Sequence, residues 1–124
     1  GVHRYYSVSL PLHEADEELT LRPRLDAVGS ERVRHALAAM HDQHQAIGEL
    51  IERLLPLVML VERNPDTLHA VGTEICSITK ALDEAFSAHL QLEEEVIFPS
   101  IRESLSDDDR AAMLAEMRTR RQQG

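Results

Sequence analysis

The sequence predicts an all-α fold, an antiparallel helical bundle of three long or medium helices and a short C-terminal helix. Apolar residues recur at alternating steps of three and four, the period of a helix face that packs against a core. Alanine, leucine, glutamate and arginine, which favour helices, are abundant. A chain of 124 residues is long enough for one core and too short for two, so a single domain over residues 1–124 is expected.

Turn and capping residues set the expected helix boundaries. Residues 1–9 show no helical period and are expected to be an irregular lead-in, with Ser9 capping a helix that has Pro11 in its first turn. Gly29 ends that helix, and Ser106, followed by three aspartates, caps the last one. These signals predict helices near residues 10–28, 31–63, 66–104 and 107–120.

The second and third helices each carry a histidine within an otherwise apolar face. A polar side chain at such a position is costly unless a hydrogen-bond partner, an opposite charge or a metal compensates it. The face of the second helix consists of Val33, Leu37, Met40, His44, Ile47, Ile51, Leu54, Val58 and Val61. The face of the third consists of Leu68, Val71, Ile75, Ile78, Leu82, Ala85, His89, Leu92 and Val96.

A sequence repeat links the first helix with the third. Two stretches 76 residues apart share the pattern His-x-x-x-Glu-Glu-x-x-x-x-Pro without a gap. The first begins with His13 and Glu17, and the second with His89 and Glu93. Side chains four residues apart point off one face of a helix, so each copy presents a histidine beside a carboxylate.

Three histidines and two glutamates can converge if the three helices meet at one level. Inward-facing glutamate and histidine pairs build di-iron and di-manganese sites in helical bundles. We therefore predict a metal site formed by His13, Glu17, His44, His89 and Glu93. Imidazole and carboxylate together favour Fe, Mn or Zn over Ca or Mg.

The other polar and sulfur-containing residues are expected to play lesser parts. His41, one turn before His44, is an alternative ligand, although a role beside the site or on the surface is favoured. Cys76 is expected to be a buried, inert thiol. Surface positions are expected for Glu18, Glu94, Glu95, His35 and His69, and packing roles for Met40 and Met59.

The predicted ligands resemble the pattern of hemerythrin-like proteins, of the His-His-Glu cation-binding kind that includes the di-iron proteins of iron–sulfur cluster repair. The resemblance covers roughly residues 10 to 121, including a tail similar to the end of many such domains. It implies a bundle holding two non-haem irons, with the glutamates bridging the metals and the histidines capping them. The matching residues are His13-x-x-x-Glu17, His44, His89-x-x-x-Glu93 with Phe98-Pro99, and the tail Glu116-Met117-Arg118-x-Arg120-Arg121.

The pattern departs from that family at the beginning of the chain. The family's usual first helix brings one more histidine, and only twelve residues precede His13 here. We therefore expect an incomplete di-iron site, either because the sequence is part of a longer protein or because another chain supplies the missing face.

Self-association is expected for the same reason. The apolar face of the fourth helix, at Ala111, Leu114 and Met117, is too short to cover the faces of the longer helices. A homodimer or a swapped arrangement is predicted, in which a helix of the partner or its lead-in with His3 fills the open side.

Charge, hydropathy and cysteine usage narrow the possible functions. The net charge of −9 argues against nucleic-acid binding, which needs a basic face. There is no run of 18 apolar residues and no signal-peptide pattern, and the single cysteine fits a reducing cytosol, so a cytoplasmic protein without membrane contact is expected.

Three functions remain open from the sequence. The favoured one is a non-haem iron protein that binds O2 or NO for sensing, storage or stress response, rather than an enzyme. The second is a di-iron redox enzyme, such as a peroxidase or an iron-donating repair protein. The third is a metal-free helical interaction module that retains the motif.

Overall fold

The computed structural model describes residues 4–123, which contain helices and no strands. We number four helical elements by their residue ranges, and several combine α-helical and π-helical segments. Helix α1 spans residues 5–28 and α2 is Glu31–Arg63. After a short 3-10 turn at Pro65–Thr67, α3 spans residues 68–104, and α4 is Asp107–Gln123. The predicted all-α class is confirmed.

The helix ends follow the capping residues in the sequence. Gly29 has a φ of +80°, a left-handed conformation that glycine adopts without steric cost, and it ends α1. The Ser30 hydroxyl accepts a hydrogen bond from the Val33 N–H at 3.4 Å, which caps α2. In the same way the Ser106 hydroxyl accepts from the Asp109 N–H at 3.1 Å and caps α4.

The prediction of an irregular lead-in was wrong for the residues that the structure describes. Tyr5–Ser9 is a π-helical turn that continues directly into Leu10–Ala15, so α1 begins before Pro11. Ser9 lies within the helix and its side chain caps nothing. The sequence signal failed because a π-turn does not follow the apolar period of an α-helix. His3, named with the lead-in, lies outside the described residues.

In three places a π-turn is followed by one residue and then by a proline. The segments are Tyr5–Ser9, Asp16–Leu21 and Glu93–Ile97. In each, the N–H of the residue before proline bonds to a carbonyl five residues back rather than four. Proline cannot donate to the regular helical ladder, so a changed pairing just before it is compatible with its chemistry. Proline alone does not produce the turn, because Pro56 lies inside α2 without one.

The chain divides into two compact units. The first comprises the described residues up to 41 and those from 92 onward, and the second comprises residues 42–91. In the first unit, the turn Asp16–Leu21 packs against α4, and Arg22–Val28 packs against Phe98–Ser104. Its buried core consists of Leu21, Leu25, Val33, Ala36, Leu37, Met40, Ile97, Leu105 and Met113.

The second unit buries apolar residues from both of its helices. Ile47, Ile51 and Leu54 are buried on α2, and Ile78 and Leu82 on α3. These are the positions that the step of three and four predicted. None of the helices within residues 4–123 combines the length and apolar character needed to cross a bilayer.

Three predicted packing positions lie at the surface instead. Cys76 is exposed, which corrects its expected burial. It follows Ile75 by one residue, and a single helical step rotates it away from the face that buries Ile78. Leu68 and Met59 are also exposed, so these two side chains do not pack as predicted.

The packed face of α4 also differs from the predicted one. Met113 is buried and Met117, one turn later, is half-buried, whereas Leu114 and Ala111 are exposed. The face is therefore rotated by about one residue, and the arginine at 120 lies on the same side as the two methionines.

Substituting a buried leucine tests the core of the first unit. Leu25→Ala should lower the free energy of unfolding by about 2–5 kcal/mol, because Leu25 is 0% exposed and its loss leaves a cavity. Leu19→Ala is the matched control in the same helix, since Leu19 is 64% exposed, and it should stay within about 0.5 kcal/mol of the parent. Urea unfolding followed by circular dichroism measures both, and equal effects would contradict this core assignment.

Candidate metal centre

Three of the five predicted ligands meet in the first unit. His13 Nε2 lies 2.9 Å from Glu17 Oε1 and 3.8 Å from Glu93 Oε1. Ligand atoms of these three side chains lie within 4.8 Å of one another. Glu17 and Glu93 are only 5% and 6% exposed, whereas His13 is more than half exposed. The group therefore joins two buried carboxylates to an imidazole that reaches the surface, and it could hold a metal ion.

Both glutamates belong to π-turns. The carbonyl of Glu17 accepts the N–H of Arg22, and that of Glu93 accepts the N–H of Phe98, five residues later in each case. The two copies of the sequence repeat thus share a backbone feature as well as a motif. A π-turn shifts the direction of the following side chains relative to a regular α-helix, and such turns are frequent at functional sites.

An apolar cavity of about 150 Å³ adjoins the three ligands. It lies within the first unit, and its apolar side chains come from α1, α3 and α4. A mostly apolar lining keeps bulk water away from the carboxylates, which strengthens their interactions with any cation. The lining residues are His13, Asp16, Glu17, Leu21, Glu93, Phe98, Ile101, Met113 and Met117.

The two carboxylates raise the pKa of His13 to about 10. The largest cause is the hydrogen bond with Glu17, followed by the interaction with Glu93, while partial burial acts in the opposite direction. His13 is therefore protonated at neutral pH, and its positive charge offsets part of the negative charge of the two glutamates. A metal that takes this place has to displace the proton.

The other two predicted ligands meet in the second unit. The His44 and His89 rings are both buried, with centroids 4.9 Å apart and planes inclined by 54°. His89 Nδ1 lies 2.8 Å from Gln43 Oε1, so Nδ1 carries the proton and donates it to the amide oxygen. In a neutral imidazole, a proton on Nδ1 leaves the lone pair on Nε2. Metal-binding histidines are commonly oriented by such a hydrogen bond from the other ring nitrogen.

The alternative ligand His41 has a different partner. Its Nδ1 lies 3.0 Å from Glu18 Oε1 within the first unit, and Glu18 also accepts from Arg22 at 2.8 Å. Glu18 is therefore a half-buried, paired carboxylate rather than the surface charge that was predicted. The expected surface positions of Glu94 and Glu95 are confirmed.

The sequence prediction missed a polar network beside the site. Asp16, next to Glu17, is 5% exposed and accepts hydrogen bonds from Arg120 and Arg121 of α4. Burial opposes its ionisation, but the bonds from Arg121 and Arg120 outweigh this, and the pKa of Asp16 lies below its ordinary value. The sequence feature that could have indicated this network is the spacing of four between the polar residues Asp16 and Thr20 on α1.

A comparison of the chain with family models, with curated proteins and with solved structures found no match. The assignment of a function therefore depends on the chemistry of the side chains themselves.

Proton release should accompany metal binding. At pH 7, binding of Fe²⁺ or Mn²⁺ should release about one proton from His13, because a ligating imidazole must be neutral and its pKa is about 10. Apparent affinity for the metal should rise about tenfold per pH unit until the pH approaches that pKa.

In the metal-free protein, the His13 ion pair also stabilises the fold. This contribution is fully present below pH 6.5 and is lost as the pH rises through about 10.

Calorimetry in two buffers of different ionisation enthalpy measures the number of protons released. His13→Ala should remove the release, and His69→Ala, at an exposed histidine, should leave it unchanged. Proton release that is the same in the parent and in His13→Ala would show that His13 is not a ligand.

Proposed function

We propose that this chain is a non-haem iron protein that binds O2 or NO, for sensing, storage or a stress response. The observation that carries the proposal is the meeting of two buried carboxylates, Glu17 and Glu93, with His13 beside an apolar cavity. Buried carboxylates this close repel each other, and a cation bound between them relieves the repulsion. A divalent metal would supply two positive charges at that place.

The donor set fits iron. One imidazole nitrogen and carboxylate oxygens are ligands of intermediate and hard character, and they suit Fe²⁺, with Mn²⁺ or Zn²⁺ as alternatives. His13, Glu17 and Glu93 would hold the ion. The proposal of a di-iron centre, with His44 and His89 as further ligands, rests on the sequence repeat and on the resemblance to hemerythrin-like proteins.

Each part of the chain near the cluster has a proposed role. A bound iron supplies reversible binding of a diatomic ligand. His13 gives up its proton on metal binding and takes it back on metal loss. The apolar side chains of Phe98, Ile101 and Met113 exclude water and admit a small, weakly polar molecule. The hemerythrin-like antiparallel arrangement of the helices is part of the same proposal.

One observation favours a metal-free role as a helical interaction module. The 2.9 Å contact between His13 and Glu17 already compensates one carboxylate without a metal. In that case the cluster would be an ion pair that stabilises the fold. Metal analysis separates this alternative from the iron protein.

Iron content should depend on the buried glutamates. After anaerobic loading with Fe²⁺, Glu17→Ala and Glu93→Ala should each lose most of the bound iron, because each removes a charged ligand from a small set. Glu94→Ala is the matched control, since Glu94 is the exposed neighbour of Glu93 in the same turn. Iron per chain is measured by plasma emission spectroscopy.

The same samples test whether the bound iron binds NO. The loaded parent protein should change its visible absorption on addition of NO, and the two glutamate variants should not. Iron bound equally by the parent and by both variants would rule out this site. Retention of iron in His44→Ala and His89→Ala would separately rule out the five-ligand version.

We also propose that the chain forms a homodimer. Leu114 and Phe98 are exposed apolar residues of the first unit, and their burial against a partner would favour association. Light scattering should give twice the chain mass, and dilution below the dissociation constant should lower the iron content. A monodisperse monomer that retains two irons per chain would contradict the dimer.

A further inference from the structure

The C-terminal end of α4 is bonded to the turn that carries Glu17. Arg121 donates from Nη1 and Nη2 to the two carboxylate oxygens of Asp16, at 3.0 Å and 2.6 Å. Arg120 donates to Asp16 Oδ1 at 2.6 Å and to the Thr20 hydroxyl at 2.8 Å. These residues are separated by about a hundred positions in the chain. The turn is thus held from outside its own helix.

The two points of attachment lie on either side of Glu17. Asp16 is the first residue of the π-turn and Thr20 the fifth, and both are buried. Arg120 bonds to both, so one planar guanidinium spans the segment that contains Glu17. Thr20 in turn donates to Glu116 of α4 at 3.2 Å, which adds a second link to the same helix.

The equivalent turn of the sequence repeat, Glu93–Ile97, provides a comparison. It begins at Glu93, the other predicted carboxylate ligand. Within residues 4–123, the side-chain hydrogen bonds of Arg120 and Arg121 go to Asp16, Thr20 and the Met117 carbonyl, and none goes to the turn Glu93–Ile97. The two turns therefore share a backbone pattern but differ in their attachment to the arginines of α4.

We propose that Arg120 and Arg121 are positioning residues: through Asp16 and Thr20 they hold the π-turn that directs the Glu17 carboxylate towards His13 and Glu93. The role of Glu17 as a ligand rests on the proposed function, whereas the control of the turn does not. A residue that orients a ligand commonly affects metal affinity without touching the metal. The arginine fork is suited to this because it fixes a carboxylate in two directions.

Amide hydrogen exchange in the metal-free protein tests the control of the turn. In Arg120→Ala/Arg121→Ala, exchange of the Arg22 N–H, which bonds to the Glu17 carbonyl, should accelerate at least tenfold by nuclear magnetic resonance. Exchange of the Phe98 N–H, in the equivalent turn, should stay within about twofold. Arg118→Ala removes an exposed arginine of the same helix and should change neither rate.

Equal acceleration at Arg22 and Phe98 would show that the arginines only stabilise the unit as a whole, and no acceleration would show that they are not needed for the turn. Either result overturns the proposal. If the double variant does not fold, Arg121→Lys serves instead, since it keeps the charge and loses the fork. It should accelerate exchange at Arg22 by a smaller factor, again without an effect at Phe98.

Titration with Co²⁺ tests the consequence for the ligand. The dissociation constant should rise roughly 10–100-fold in Arg120→Ala/Arg121→Ala, and the visible d–d bands should shift because the ligand geometry changes. Arg118→Ala should match the parent. Unchanged affinity and bands in a folded double variant would overturn the positioning role. A parent that binds no Co²⁺ would contradict the metal proposal, and the exchange rates alone would then decide whether the arginines hold the turn.

Discussion

The close approach of two buried carboxylates is the constraint on which the first unit depends. Glu17 and Glu93 come from the first and third helices, and each is nearly inaccessible to water. Two negative charges in such a place require a compensating cation. The protonated His13 supplies one positive charge beside them. Two buried carboxylates and an imidazole in such a cluster could hold a metal ion, which is the physical basis of the metal proposal.

The surrounding structure brings these side chains together in two ways. Within each helix, a π-turn begins at or beside the glutamate and ends two residues before a proline. Between elements, the core formed by Leu25, Met40 and Ile97 fixes the helices that carry the turns. The repeated motif thus specifies a local backbone shape together with a pair of ligands, and the arginines of α4 add an attachment to one of the two turns.

Much of this arrangement could be predicted from the sequence. The positions of Ile47 and Leu82 followed from the helical apolar period, and Gly29 and Ser106 marked helix ends by their own conformational chemistry. The pairing of His13 with Glu17 followed from their spacing of four. Each of these signals is local, because it depends on residues within a few turns of one helix.

The rest depended on contacts that no local pattern encodes. The turn at Tyr5–Ser9 has no α-helical period, and the sequence therefore suggested an irregular segment there. No pattern singled out Asp16, and only packing against α4 shows that two arginines pair it. Cys76 shows the reverse error, since an apolar neighbour suggested burial and one step of helical rotation exposes it.

The central claim is that His13, Glu17 and Glu93 bind a metal together. An anomalous difference map, collected at the iron absorption edge from crystals of the iron-loaded protein, tests it most directly. If these three residues bind iron together, the strongest peak lies beside His13 Nε2 and the carboxylates of Glu17 and Glu93. Iron-loaded crystals with no peak there, and with His13 still paired directly with Glu17, would contradict it.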